Sequence, residues 1–317
     1  MSNKTQGLIL LGSGSAIMKE QLSPRILENK REHCSISFSD FDDTTFNITV
    51  LPDTLNIVKI NMYYSSTKQL LDIGSKQLLD KLFPNMNVKP DNGYNYAIQF
   101  DLDSLPNDRN KFLSDCCNLK RHMMGGPIDV AFTNFLKKEN INNNVITVEY
   151  RPNEPMFVCP SGEKVVIIFM VDFSDNTDKA MAKIFLQEFV EAQRTIRTAP
   201  PVSYSKEPPL ELSGMKFNYN QDCACFISFA FEERHITGDR KESAINVLSE
   251  FRSYLLYHIK CSKTYLHMRM RRMVAGWMQV LNRAKPEQQN EKKTITGKTF
   301  VQRASTVIHA ANAFQKN

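Results

Sequence analysis

The chain has 317 residues, and because single domains usually contain roughly 100 to 200 residues, it has room for two compact units and additional segments. A hydrophobic fraction of 42% and a charged fraction of 23% are typical of a globular protein and argue against a disordered, collagen-like or membrane-spanning class. Seven cysteines without a CxxC pair argue against a disulfide framework and a structural zinc site, so we expect reduced thiols in a cytoplasmic protein.

The net charge of +6 is unevenly distributed along the chain. From His258 to the C-terminus there are twelve Lys and Arg and two Asp and Glu, a net charge of +10 that leaves −4 for the preceding part. A basic end of this kind predicts an acidic partner, which could be nucleic acid, an anionic membrane or an acidic protein surface.

The first half of the chain alternates between strand and helix patterns. Apolar alternation predicts strands at residues 35–41, 45–51, 56–64 and 95–102, the first two joined as a hairpin across Asp42-Asp43. Helical spacing of apolar residues predicts helices at residues 67–82 and about 108–138. We expect Gly125-Gly126-Pro127 to break the second of these midway.

The second half repeats this order. It predicts strands at residues 145–151, 156–159, 164–173 and 224–231, and helices at residues 179–194 and about 240–285. The repeat predicts an α+β fold of two similar α/β sandwich domains with mainly antiparallel sheets, followed by a long C-terminal helix. We place the domains at residues 1–139 and 140–285, with a basic tail at 286–317. Two unrelated halves are the alternative.

The predicted C-terminal helix is longer than its own domain can cover. At about 1.5 Å per residue it extends roughly 60 to 65 Å, and residues spaced about 100° apart form an apolar stripe along it. The far half of this stripe consists of Leu266, Met270, Met273, Trp277, Val280 and Leu281. An exposed stripe indicates an interface, and a helix of another subunit is the simplest cover. A helix that folds back on itself is the alternative.

Basic residues follow another side of the same helix. Lys260, His267 and Arg271 fall within an arc of about 40°, with Lys263 at its edge. Charge nearby comes from Arg272, Arg283 and Lys285, and these seven residues form the predicted basic surface. It either binds an anionic partner or is a solvated face.

No motif in the sequence predicts catalysis. Gly297-Lys298-Thr299 resembles the end of a phosphate-binding loop, but Lys292 occupies the position of the first required glycine. The Asp40, Asp42 and Asp43 cluster lacks the glycine and closing glutamate of a calcium loop and is more typical of a solvated hairpin turn. We therefore expect no catalytic, cofactor or metal site. A nucleic-acid-binding protein that uses the basic helix, or an enzyme with a site at the domain junction, stays open as an alternative.

Three long C-terminal segments are the most specific in the sequence. They are Tyr257-His258-Ile259-Lys260-Cys261-Ser262-Lys263, Val280-Leu281-Asn282-Arg283-Ala284-Lys285-Pro286, and Lys293-Thr294-Ile295-Thr296-Gly297-Lys298-Thr299-Phe300. These segments resemble the subunit 2 family of the actin-related protein 2/3 complex. Shorter landmarks such as Gly93-Tyr94-Asn95 and Glu207-Pro208-Pro209-Leu210 agree in order, and the resemblance covers about residues 35 to 300.

The resemblance implies a non-catalytic structural subunit that supports actin nucleation and branched network assembly. Its long helix would pack against subunit 4 through the stripe, and its basic residues would contact the side of the mother actin filament. The implied partners are the other subunits of the complex, including both actin-related proteins, with no nucleic acid and no integral membrane association. The implied location is the cytoplasm, in the actin cytoskeleton, cell projections and cortical actin.

Overall fold

The computed structural model describes residues 14–40, 42–138, 144–196, 198–219 and 224–283, together with the backbone of two short strands near the C-terminus. The chain divides into two compact units, Met1–Lys263 and Thr264–Asn317. Among the described residues, no helix combines the length and the apolar character that a bilayer crossing requires. The predicted α+β class is confirmed by two antiparallel sheets with helices and a long C-terminal helix.

The first half of the chain forms a four-stranded antiparallel sheet in the order β1-β2-β3-β4. Its strands are β1 (Cys34–Ser39), β2 (Thr45–Val50), β3 (Ile57–Tyr63) and β4 (Tyr96–Asp101). Burial alternates along β2, where Phe46, Ile48 and Val50 lie in the core. The four predicted strands and the first hairpin are therefore confirmed.

The second half forms a five-stranded antiparallel sheet in the order β5-β6-β7-β9-β8. Its strands are β5 (Ile146–Arg151), β6 (Glu154–Pro160), β7 (Val165–Asp172), β8 (Val202–Ser205) and β9 (Ala224–Phe231). Both faces of β7 are covered, one by the main core and the other by a smaller cluster that includes Phe157, Phe226 and Phe217. This burial on two sides explains why β7 is apolar throughout. Strand β8 was not predicted.

Eight α-helices surround the described sheets. They are α1 (Ala16–Leu27), α2 (Thr67–Leu70), α3 (Lys76–Leu82), α4 (Arg109–Cys117), α5 (Leu119–Lys137), α6 (Asn176–Thr195), α7 (Glu233–Ile236) and α8 (Arg240–Arg283). Shorter elements are a π turn at Leu71–Ser75, a 3-10 turn at Leu210–Leu212, and strands β10 (Lys292–Lys293) and β11 (Thr299–Phe300). The helix predicted at 67–82 is interrupted by the π turn, where Gly74 adopts a φ of 120° that favours glycine. Helix α1 was not predicted.

The predicted break at Gly125-Gly126-Pro127 was wrong, because α5 continues through all three residues. The chain breaks instead at Asn118, between α4 and α5. Pro127 has no N–H to donate to the carbonyl of Met123 four residues earlier, and the hydroxyl of Ser75 donates to that carbonyl at 2.6 Å. A partner from another segment therefore replaces the hydrogen bond that the helix loses.

The two glycines of α5 allow neighbouring segments to approach its backbone. A Cβ atom at Gly126 would lie 2.5 Å from the Cα of Ser75, and one at Gly125 would lie 2.6 Å from the Cγ2 of Ile245 in α8. Both distances are shorter than van der Waals contact. A side chain at position 126 would therefore have to displace the backbone of Ser75. The two glycines are therefore needed for close packing against Ser75 and Ile245. These tertiary contacts outweigh the local tendency of the Gly-Gly-Pro sequence to end a helix.

We expect Gly126→Ala to lower the free energy of unfolding by about 1 to 3 kcal/mol, because the added methyl group displaces Ser75. Urea denaturation of the full chain measures this change. Gly162→Ala is the matched control, since a Cβ atom there meets nothing within 4 Å. Equal stability of the two variants would contradict the close-packing explanation.

The hairpin turn between β1 and β2 is not the solvated turn that its acidic sequence predicts. The Asp42 carboxylate is 5% exposed and accepts hydrogen bonds from the Arg151 guanidinium at 3.2 Å and the Ser253 hydroxyl at 2.8 Å. The Lys120 ammonium lies 3.3 Å from the same carboxylate. These contacts join the first sheet to α5, β5 and α8, so the turn has a structural role in the core.

Residues of both sheets belong to one continuous hydrophobic cluster. Polar contacts also join the halves, because the Gln69 side-chain amide donates to the carbonyl of Thr147 at 2.8 Å and accepts from the N–H of Glu149 at 3.1 Å. These bonds cover the outer edge of β5. The division into domains at residues 139 and 140 stays a prediction.

Candidate protein-binding site

The first half of α8 is anchored on the five-stranded sheet by apolar residues. Phe251 lies at the centre of this contact, with ring centroids 4.9 Å from Phe229, 5.2 Å from Phe169 and 6.2 Å from Phe189. The other buried apolar residues of α8 are Ile245, Leu248, Leu255 and Ile259. Aromatic contacts of this kind add to the stabilisation from buried area, so this part of the helix is fixed in the compact unit that ends at Lys263.

In the second compact unit, the remaining turns of α8 expose a continuous apolar stripe. It consists of the six predicted residues Leu266, Met270, Met273, Trp277, Val280 and Leu281. Leu266 is half-buried, and the others are exposed, with Trp277 reaching 71% exposure. Leu266, Met270, Met273, Trp277 and Val280 follow one another at intervals of 4, 3, 4 and 3 residues. This is the spacing of a helix that packs against another helix in a coiled coil.

Val274 also belongs to the stripe, although it was not among the predicted interface residues. It is 60% exposed and lies one turn from Met270, so helical geometry places it beside that residue and Leu281. The same 100° spacing that identified the stripe could have found it. Tyr265 and Met268 are exposed apolar residues on other sides of the helix. Met278 is also exposed and borders the stripe, because it lies one turn from Val274.

Gly276 lies within this exposed part of α8, and a Cβ atom there would meet nothing within 4 Å. The described residues therefore impose no steric requirement for glycine at this position, in contrast to Gly126. Glycine costs about 1 kcal/mol relative to alanine in a helix interior. A close approach by the backbone of another protein is a physical reason to retain it.

Two of the predicted basic residues are paired within the first compact unit. The Lys263 ammonium lies 3.0 Å from carboxylate oxygens of both Asp175 and Asp178, and the Lys260 ammonium also contacts Asp178. Asp175 is the N-cap of α6 and accepts from the N–H groups of Thr177 and Asp178 at 2.8 and 2.9 Å. The start of α6 thus holds both lysines against the protein.

These contacts shift the acid–base equilibria of the groups involved. The backbone N–H of Asp178 and the Lys263 ammonium lower the pKa of Asp175 to about 2. Burial by itself would raise the pKa of Asp178, but hydrogen bonds from Lys260 and Lys263 outweigh it and the pKa lies below its ordinary value. Hydrogen bonds to Asp178 and Asp175 raise the pKa of Lys263. Asp175, Asp178 and Lys263 therefore carry charge at neutral pH.

The other predicted basic residues lie in the second compact unit. His267, Arg271, Arg272 and Arg283 are exposed there, and Lys285 lies outside the described residues. The structure therefore divides the predicted set into two lysines held by α6 and a group of exposed cations. Within the described part of the chain, no group of three or more His, Cys, Asp or Glu side chains is arranged to hold a metal ion.

Comparisons with known proteins give a single family. A model of the family described as Arp2/3 complex, 34 kD subunit p34-Arc, matches residues 60–288. A protein of Schizosaccharomyces pombe named actin-related protein 2/3 complex subunit 2 is 32% identical over 316 residues, covering 93% of this chain and 99% of that protein. A protein of the same name from Dictyostelium discoideum is 35% identical over 269 residues, covering 84% of this chain and 90% of that protein.

Proposed function

Since the chain belongs to the p34-Arc family of Arp2/3 complex subunits, we propose that it pairs with subunit 4 of that complex and contacts the side of an actin filament. It is a structural subunit of the actin-branching complex, as its relatives are. We propose that it contributes binding surfaces rather than a catalytic step, and that it acts in the cytoplasm, in cortical actin and cell projections.

The exposed stripe of α8 is the observation that carries the proposed pairing. Five of its six apolar residues follow coiled-coil spacing, and each Å² of apolar surface that faces water costs about 25 cal/mol of free energy. A second helix packed along the stripe would remove this surface from water and would use the open space beside Gly276. Subunit 4, whose long helix the family resemblance implies, supplies such a partner.

The proposed filament contact depends on the basic residues of α8. Actin filaments are acidic, so exposed cations favour their approach and accelerate association at low salt. The exposed cations of the second unit, Arg271 and Arg272 among them, are the first candidates for this contact. Lys260 and Lys263 already hold Asp175 and Asp178, so an acidic partner must compete with these carboxylates.

Replacing Arg271 and Arg272 by glutamate tests the filament contact. In the assembled complex we expect the affinity for actin filaments to fall at least about tenfold at low salt, because two attractions become repulsions. The difference in filament affinity between the variant and the unaltered complex should become smaller as the salt concentration rises, since exposed charges are screened within about 10 Å at 0.1 M salt. Co-sedimentation with filaments at several salt concentrations measures both effects.

The matched control places the same charge change elsewhere. Lys76→Glu with Lys81→Glu alters two exposed lysines of α3 and should leave filament affinity within about twofold of the unaltered complex. Both double variants should still assemble. Equal filament affinity of the arginine variant and the unaltered complex at low salt would refute the assignment of these two residues.

The alternative of nucleic-acid binding receives no support from the family comparisons. It predicts that the logarithm of the affinity for DNA or RNA falls steeply and linearly with the logarithm of the salt concentration. Filament binding by the same complex, measured in parallel, separates the two interpretations.

A further inference from the structure

A half-open cavity of about 760 Å³ lies in the first compact unit. It is bordered by the end of α6, strands β8 and β9, helix α7 and the first turns of α8. Phe189, Phe229 and Leu248 contribute apolar surface to its lining, and the exposed side chains of Ile196 and Val247 also line it. Its volume and apolar lining are those of sites that hold small organic molecules.

One buried hydrogen-bond donor in this lining has no partner among the described residues. His235 is 7% exposed, and its Nδ1 accepts a hydrogen bond from the N–H of Glu232 at 3.0 Å. Burial and the neighbouring Arg234 lower the pKa of His235, so the ring is neutral at neutral pH. With Nδ1 as acceptor, the ring proton is on Nε2, and this N–H is buried and unpaired. A buried donor without an acceptor is costly, so an acceptor atom supplied by a ligand would stabilise the site.

The charges around the cavity favour an anion. Arg234 and Arg240 line it, and no carboxylate belongs to its described lining. Glu232 pairs with the Nε of Arg234 at 2.9 Å, which offsets one of the two positive charges. The net charge of these three groups is therefore +1, which matches a ligand with a single negative charge better than a dianion.

We propose that this cavity binds a small monocarboxylate with an apolar body. The apolar chain lies against Phe189, Phe229 and Leu248, and the carboxylate pairs with Arg234 or Arg240. A small movement of the lining exposes the buried Nε2–H of His235, which then donates to the same carboxylate. Hydrogen bonds between charged partners are about twice as strong as neutral ones, so the carboxylate sets the preference among ligands of equal chain length. This site is independent of the proposed pairing and filament contacts.

Decanoate, below its micelle concentration, is the probe, and the full chain is the protein. A photoreactive decanoate derivative should label peptides that line the cavity, including the first turns of α8, as mapped by mass spectrometry. Free decanoate should compete with this labelling. Decanol should compete about tenfold more weakly, and decyltrimethylammonium should not compete.

Two matched variants locate the binding. Val247→Asp places a negative charge in the cavity at a residue that is 60% exposed, so folding is retained while decanoate affinity falls at least tenfold. Ile184→Asp makes a similar change at a residue of α6 that is 58% exposed and is not among the lining residues, and it should leave affinity unchanged. Labelling confined to the exposed stripe of α8, equal competition by decanol, or an unaltered affinity of Val247→Asp would each overturn the proposal.

Discussion

Replacing Met273 and Trp277 together by aspartate is expected to abolish the proposed pairing of this chain with subunit 4. Both side chains are exposed in the chain by itself, so the substitutions remove no internal packing. In the proposed pair they would lie at the centre of the helix contact, where each buried anchor contributes about 2 kcal/mol or more. Two buried carboxylates should therefore weaken association by roughly a thousandfold or more. Co-purification from cells that express both subunits measures the loss.

The control for this prediction is Ile184→Asp, at an exposed residue of α6 outside the stripe. It should co-purify with the partner as the unaltered chain does. Circular dichroism of the double variant should show an unchanged helix content, which separates lost pairing from lost folding. A double variant that still co-purifies in equal stoichiometry would mean that the stripe is not the interface.

The second large effect is expected from Glu154→Ala, which removes one partner of a buried ion pair. The Glu154 carboxylate accepts from the Nε and Nη2 of Arg252 at 2.8 and 2.7 Å, and the side chains are 7% and 6% exposed. It also accepts from the N–H of Asp172 at 3.1 Å. The variant leaves the Arg252 guanidinium buried without this partner, so the free energy of unfolding should fall by about 3 to 5 kcal/mol. Urea denaturation of the full chain measures the change.

An exposed ion pair supplies the matched control for Glu154→Ala. Glu211 lies 3.4 Å from the Lys164 ammonium, with side chains 32% and 44% exposed. Since exposed pairs contribute about 0 to 1 kcal/mol, Glu211→Ala should change stability by less than about 1 kcal/mol. A similar small effect for Glu154→Ala would show that water reaches Arg252 in the folded protein and would contradict the burial argument.

Glu250 is a buried carboxyl beside Lys120, the lysine that also lies next to Asp42. Burial raises its pKa to about 7, and the nearby Lys120 ammonium, 3.8 Å away, opposes this shift. A raised pKa in the folded state means that protonation favours folding, so the stability from this group is complete below pH 4 to 5 and is lost as pH rises through about 7. The free energy of unfolding falls over this range because the Glu250 carboxyl ionises while the fold keeps it from water.

The elements that the sequence predicts best are those with a strong local period. Helix α8 was predicted at about residues 240 to 285, and it is described over Arg240–Arg283. Its stripe follows from the same period, because residues at 3.6 per turn return to one side of a helix without any knowledge of the rest of the fold. The alternating strands β1 to β4 were predicted for a similar reason.

Contacts between distant segments could not be predicted in this way. Lys260 and Asp178 are 82 residues apart, and Asp42 and Ser253 are 211 residues apart, so no local pattern indicates that they meet. At Gly125-Gly126-Pro127 a local pattern did give a prediction, and that prediction was wrong. The local preference of this sequence is for a helix end, but the close approach of Ser75 and Ile245 and the hydrogen bond to Met123 favour a continuous helix.

The two aspartates at the start of α6 have a consequence for the ionic-strength dependence of the proposed filament binding. When Lys260 or Lys263 releases Asp175 or Asp178 to meet an acidic surface, one carboxylate replaces another, and the number of bound cation–carboxylate pairs stays constant. Such an exchange releases few counterions. The lysines therefore contribute little to the steepness with which added electrolyte weakens attachment, and most of that steepness belongs to the arginines nearer the end of the helix.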